Sequence, residues 1–207
     1  METRIARHGN APNKVNCKLP SLEKVNRRTL LQGIFAGAIC VAAAPAYTNT
    51  PGYLKGAGNI RRLKMYSGHT GEYLNAVYWI DGEYIPEVMG EIDFFMRDWR
   101  DQRKTRMDRR NIDNLSAISA ILETDEPFKL LSGFRTRRTN DILRRTSRSV
   151  ARNSLHIKGQ AADVQLKNRS SRQIASAATK CASGGVGRYR RPNFVHIDCG
   201  DVRTWQI

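Results

Sequence analysis

The chain has 207 residues, 40% of them apolar and 8% aromatic, enough for one hydrophobic core with residues to spare. Its 35 Lys and Arg against 19 Asp and Glu give a formal charge of +16, which points to a polyanionic partner: nucleic acid, an anionic membrane surface or an anionic wall polymer. The basic residues are scattered, which excludes a nucleic-acid tail, and they are not regularly interleaved with aromatics as on a single-strand-binding surface.

Residues 1–46 have the layout of an export signal. Arg27 and Arg28 precede the apolar run "IFAGAICVAAA", which is too short for a comfortable membrane span, and "APA" (44–46) is a small-x-small cleavage site. The arginine pair followed by Leu30 and Leu31 resembles a twin-arginine signal, with Asn26 where a serine or threonine is usual and an extended stretch before the pair. Ile39 is too large to precede a lipidated cysteine at Cys40. Cleavage after residue 46 leaves 28 basic against 17 acidic residues, or +11, and two cysteines, Cys181 and Cys199. In an oxidising compartment those two could pair, or they could be two small buried apolar groups, and no CxxC spacing suggests zinc.

Residues 47–59 read as a linker rich in small, turn-forming residues. "RRLKMYS" and "YLNAVYWI" then read as strands, and Asp81-Gly82 as a hairpin turn. Val88, Ile92, Phe95, Met96 and Trp99 have helical spacing over 86–102, with Pro86 in the first turn. Another helix is expected over 113–123, a strand over 128–134, a short helix over 139–145 and a serine-capped helix over 170–182. Residues 186–198 read as two strands around Arg191-Pro192. The elements lack a regular βαβ rhythm, so the expected class is α+β: one domain over 60–207, a small antiparallel sheet flanked by helices.

The chemistry concentrates in "NSLHIKGQAADV" (153–164). On its own this could be a turn entering a half-buried strand, with a surface histidine and a satisfied aspartate. His156 and Asp163 cannot meet on a straight element, because seven residues span about 23 Å in a strand and about 10 Å in a helix. The chain must bend back for them to share a metal, and Gly159 makes a bend cheap while Ala161 and Ala162 allow close packing. His196, in the apolar run "FVHID", would be costly to bury unpaired and offers a third ligand. Asp198 lies on the same strand face as His196. A His-Asp-His set with a fourth position open for water is a catalytic rather than a structural zinc arrangement.

Ser154, His156, Gly159, Ala161 and Asp163 match S-x-H-x-x-G-x-A-x-D. "SGFR" (132–135) and Asn140 lie upstream, and "GGVGRY" and "FVHID" downstream. Together with "RLKMYSGHTGE" and "FFMRDWR", this order resembles the zinc peptidases of the M15 and LAS group, closest to the exported murein endopeptidases known by their DUF882 domain. The resemblance covers roughly 60–207. It implies zinc ligands His156, Asp163 and His196, set on the sheet, and a role for Arg135 in binding a substrate carboxylate or the tetrahedral oxyanion. Many relatives carry a glutamate base three residues before the last histidine, where this chain has Asn193. Asp198 is the expected substitute, as base on the zinc water or as a carboxylate that orients a ligand. His69 is read as a turn residue that could approach the site.

The expected protein is therefore a periplasmic, zinc-dependent murein endopeptidase that hydrolyses peptide crosslinks of peptidoglycan, monomeric, with no nucleic-acid partner and no membrane span after signal removal. A non-catalytic zinc-containing wall-binding module and a D,D- or L,D-carboxypeptidase are the alternatives.

Overall fold

The computed structural model describes residues 59–207, so the export signal and all but the last residue of the linker lie outside the described residues. Eight strands and four helices follow in one order: β1 (Ile60–Ser67), β2 (Tyr73–Ile80), β3 (Glu83–Tyr84), α1 (Pro86–Phe95), α2 (Arg109–Ile121), β4 (Phe128–Ser132), α3 (Arg137–Thr146), β5 (Ala161–Gln165), α4 (Ser171–Cys181), β6 (Gly185–Tyr189), β7 (Phe194–Asp198) and β8 (Arg203–Gln206). A single 3-10 turn, Leu155–Lys158, precedes β5.

All eight strands form one sheet in the order β3-β2-β1-β4-β5-β7-β6-β8. The expected small antiparallel sheet is thus corrected in size and in direction. The β1–β4 and β6–β8 pairs are parallel, because each is joined by a long connection that carries the chain back to the starting end. One face is apolar and is covered by helices. Leu63, Met65, Phe128, Leu130, Val164, Val195 and Ile197 from the strands join Ile112, Leu115 and Ile118 of α2 and Ile174, Ala177 and Ala178 of α4 in the core. The opposite face carries the polar alternates Asp163, His196 and Asp198.

Local chemistry sets the helix limits. Asp108 caps α2 by accepting from Arg110 N, and Thr136 caps α3 by accepting from Thr139 N. Ser170 and Gln173 form a capping box at α4. The helix expected over 86–102 stops at Phe95, with Met96 as its cap. Buried Asp98 draws the chain out of the helix: its carboxylate accepts from the amides of Arg100 and Asp101 and from Thr136 N. Trp99 consequently leaves the core and stacks on His69, with ring centroids 4.4 Å apart. Beneath the other end of the sheet, Arg61 donates to Asp113 at 3.1 Å, and the hydroxyls of Tyr78 and Tyr84 donate to the same carboxylate at 2.9 and 2.6 Å. Cys181 and Cys199 are buried free thiols.

Candidate active site

β5 and β7 are adjacent interior strands, and their register sets Asp163 directly opposite His196. His156 comes from the 3-10 turn before β5. Ser154 caps that turn by accepting from His156 N, and Gly159 closes it at φ 68°, where a Cβ would stand 2.7 Å from Arg106 O. The glycine bend folds His156 over the start of β5. His156 Nε2, His196 Nδ1 and Asp163 Oδ1 meet there: the two nitrogens are 3.1 Å apart, and Oδ1 lies 3.2 Å from His156 Nε2 and 2.9 Å from His196 Nδ1. Among the described residues, this is the one cluster of His, Cys, Asp and Glu compact enough to hold a metal ion.

The remaining nitrogens fix the tautomers. His156 Nδ1 sits 2.6 Å from the carbonyl of Gly133, which can only accept, so Nδ1 carries the proton and Nε2 presents its lone pair. His196 Nε2 donates to Asp198 Oδ2 at 3.0 Å, leaving the Nδ1 lone pair to face His156 and Asp163. Two imidazole lone pairs and one carboxylate oxygen therefore converge with no proton of their own. A cation satisfies such a point. Ligands about 2.0–2.2 Å from a tetrahedral zinc stand about 3.3–3.6 Å apart, so the set fits zinc with a slight opening.

The charges around the point reinforce this. Burial, then the Arg135 guanidinium, lowers His156 to about 4. For His196, burial acts downward but is outweighed by its bonds to Asp163 and Asp198, which push it up to about 8. Asp163 stays well below the carboxylate range despite burial, held by His156, His196 and Arg135.

Arg135 donates from Nη2 to Asp163 Oδ2 and from Nε to Ser132 Oγ, the latter at 2.7 Å. Its Nη1 has no hydrogen-bond partner among the described residues, and the side chain lines the cleft. Asp198 is fully buried and accepts five bonds. Gly185 N, Gly200 N and Arg203 Nη1 reach Oδ1 at 3.0, 2.9 and 3.2 Å, and His196 Nε2 and Arg203 Nη2 reach Oδ2 at 3.0 and 2.8 Å. Burial would raise its pKa, but these donors, His196 first, hold it below the usual carboxylate range.

The five expected site residues thus line one cleft of about 170 Å³. His69 lies outside it, against Trp99, and Asn193 borders a neighbouring groove. The cleft's far wall was not legible in the sequence. Trp205 of β8 pairs with Gly187 of β6, which pairs with His196. A Cβ on Gly187 would collide with the Trp205 ring, so glycine alone lets the indole lie across β6 toward His196, with centroids 5.4 Å apart. Arg203, Tyr189 and Phe194 complete that wall. The signal was the alternation Arg203-x-Trp205 set against "GVGRY", too short to read as paired strands.

Lone pairs converging beside a guanidinium on an open sheet face are the arrangement a metallopeptidase centre requires. The chain belongs to the M15-type peptidase family described as peptidoglycan L,D-endopeptidase MepK, whose model matches residues 55–205. It is 38% identical over 184 residues to peptidoglycan L,D-endopeptidase MepK of Escherichia coli (strain K12), covering 87% of this chain and 97% of that protein. The probable MepK of Haemophilus influenzae is 34% identical over 147 residues, or 70% of this chain and 79% of the relative. Among the described residues no helix is long and apolar enough to cross a membrane.

Proposed function

We propose that this chain is a zinc-dependent murein endopeptidase that cuts L,D-type peptide crosslinks of peptidoglycan in the periplasm, after export directed by residues 1–46. One observation carries the metal assignment: His156 Nε2, His196 Nδ1 and Asp163 Oδ1 converge, and Gly133 O and Asp198 take up the protons that would otherwise fill the point. In this reading His156, Asp163 and His196 hold the ion. When bound, zinc supplies Lewis-acid polarisation of the scissile carbonyl and acidifies water near it.

The chain's own residues do the rest. Arg135 is anchored by Ser132 and Asp163 at two of its nitrogens, and its Nη1 is left for the oxygen on which negative charge develops. Asp198 holds the His196 ring and tautomer. Its five donors keep it ionised, which suits orientation better than proton uptake. Trp205, Tyr189 and Phe194 shield one side of the cleft from water. The segment 149–155 forms the other side, tied to α3 by Asn140 Nδ2 donating to Ala151 O at 3.1 Å.

The test is digestion of purified peptidoglycan by residues 47–207, with zinc, with chelator and as His156→Ala, the products separated as muropeptides. Metal-dependent conversion of crosslinked dimers to monomers, lost in the variant, is the expected result. Release of terminal residues from uncrosslinked stems would make it a carboxypeptidase. Intact dimers from a folded, zinc-loaded protein would make it a wall-binding module.

A further inference from the structure

The face of the sheet that bears the cleft continues past it. Asp163 and Gln165 share that face, one pleat repeat or about 7 Å apart along β5. Gln165 pairs with Lys129, Lys129 with Tyr66 and Tyr66 with Tyr73, a row across β5, β4, β1 and β2 beside the row that holds Asp163 and His196. A groove of about 580 Å³ runs over this row, bordered also by Lys167 and Asn193. Asn193, in the turn before β7, borders the groove, and Phe194, the first residue of β7, borders the cleft. Gln165 Nε2 donates to Asn193 O at 2.8 Å and closes the floor between them.

The groove's two lysines lack acidic partners. Lys64 nearby is neutralised by Asp125 at 2.6 Å, but among the described residues neither Lys129 nor Lys167 joins an ion pair, against one acidic lining residue, Glu126. Tyr73 is 74% exposed and its ring packs against that of Tyr66, centroids 4.6 Å apart and planes tilted by 33°, leaving an aromatic surface open. An exposed aromatic surface flanked on its β4–β5 side by two ammonium groups without ion pairs is a recognition surface rather than ordinary solvated polarity.

We propose that this groove is a substrate exosite that binds the carboxylate-bearing stem peptide flanking the scissile bond, with Lys129 and Lys167 on its carboxylates and Tyr66 and Tyr73 under its aliphatic part. The proposal rests on the peptidase reading for the identity of the polymer. Charge complementarity and the run of β5 from Gln165 in the groove to Asp163 in the cleft select an anionic peptide continuous with the substrate. Specificity for the crosslink then comes from a surface outside the metal centre.

The test uses the zinc-loaded protein and its Lys129→Gln/Lys167→Gln double variant, with matched thermal midpoints as the folding control. Equilibrium binding is read with a labelled uncrosslinked stem muropeptide, its carboxylates free or amidated, and KM and kcat with crosslinked dimers. The expected result is about tenfold weaker binding of the free-carboxylate ligand by the variant, a matching rise in KM with kcat kept, and no change for the amidated ligand. Equal losses for both ligands, or competition by peptide-free glycan strands, would mean the groove reads sugar and would overturn the proposal. Unchanged binding and KM, or a wild type that does not bind the muropeptide, would overturn it too. Because binding is read without turnover, a wild type that binds through the lysines but cuts nothing would sink the peptidase reading and leave the exosite standing.

Discussion

Replacing Asp198 by asparagine separates its two conceivable roles. Two backbone amides and Arg203 Nη1 point at Oδ1, so the amide oxygen of the substituted side chain remains there and its NH2 group replaces Oδ2. That NH2 then faces His196 Nε2, which must become an acceptor and shift its proton to Nδ1, into the metal point. Loss of such an orienting partner costs about 10–100-fold in metal affinity, about 1.4–2.7 kcal/mol. Affinity is measured by chelator competition, and activity by muropeptide release as zinc is raised. The expected outcome is weakened zinc binding with kcat restored near wild type at saturating zinc. A carboxylate acting as general base would instead lose about 10²–10⁴ in rate at every zinc concentration. Unchanged zinc affinity with an unrescued loss of kcat would refute the orienting role.

Other perturbations test the frame around the site. Asp113→Ala strands the buried Arg61 guanidinium and two tyrosine hydroxyls, so it should cost about 3–5 kcal/mol in denaturant unfolding. Gly187→Ala forces the Trp205 ring off β6, which should change tryptophan emission and cost about 1–3 kcal/mol while zinc affinity is kept. Burial acts upward on Asp108, but Arg110 and Gln160 hold it at about 2, below its ordinary 3.8. A depressed carboxylate stabilises the fold fully above about pH 4 and ceases to do so as pH falls through about 2. Discounted for the solvent screening of a partly exposed group, Asp108→Asn should lose about 1–2 kcal/mol at neutral pH and show a flatter acid limb between about pH 4 and 2 in thermal melts.

The segments that were legible in the sequence are those where local chemistry and tertiary context agree. Ser170 capped its helix as expected, and the hydrophobic alternation of "FKLLS" and "YLNAVYWI" gave strands in place. The Gly159 bend was legible because no straight element could join His156 to Asp163. Long-range chemistry hid the rest. Helical spacing ran on through Trp99 because nothing local shows that Asp98 will be captured by Thr136, 38 residues away. β8 escaped because "RTWQ" is short and mostly exposed, a strand only because β6 offers it an edge. The parallel pairings, which enlarge the sheet to eight strands, depend on which edges meet, and periodicity carries no trace of that choice.

Asp163 gives one oxygen to the imidazole pair and the other to Arg135. The two positive centres of the proposed chemistry, ion and guanidinium, are thus tethered to opposite ends of one planar carboxylate. The two oxygens that tether them are a fixed distance apart on one carboxylate, so a shift of Asp163 moves both tethers together. Surrounding segments are free to diverge in length and composition without retuning that spacing, and the carboxylate works as a built-in gauge.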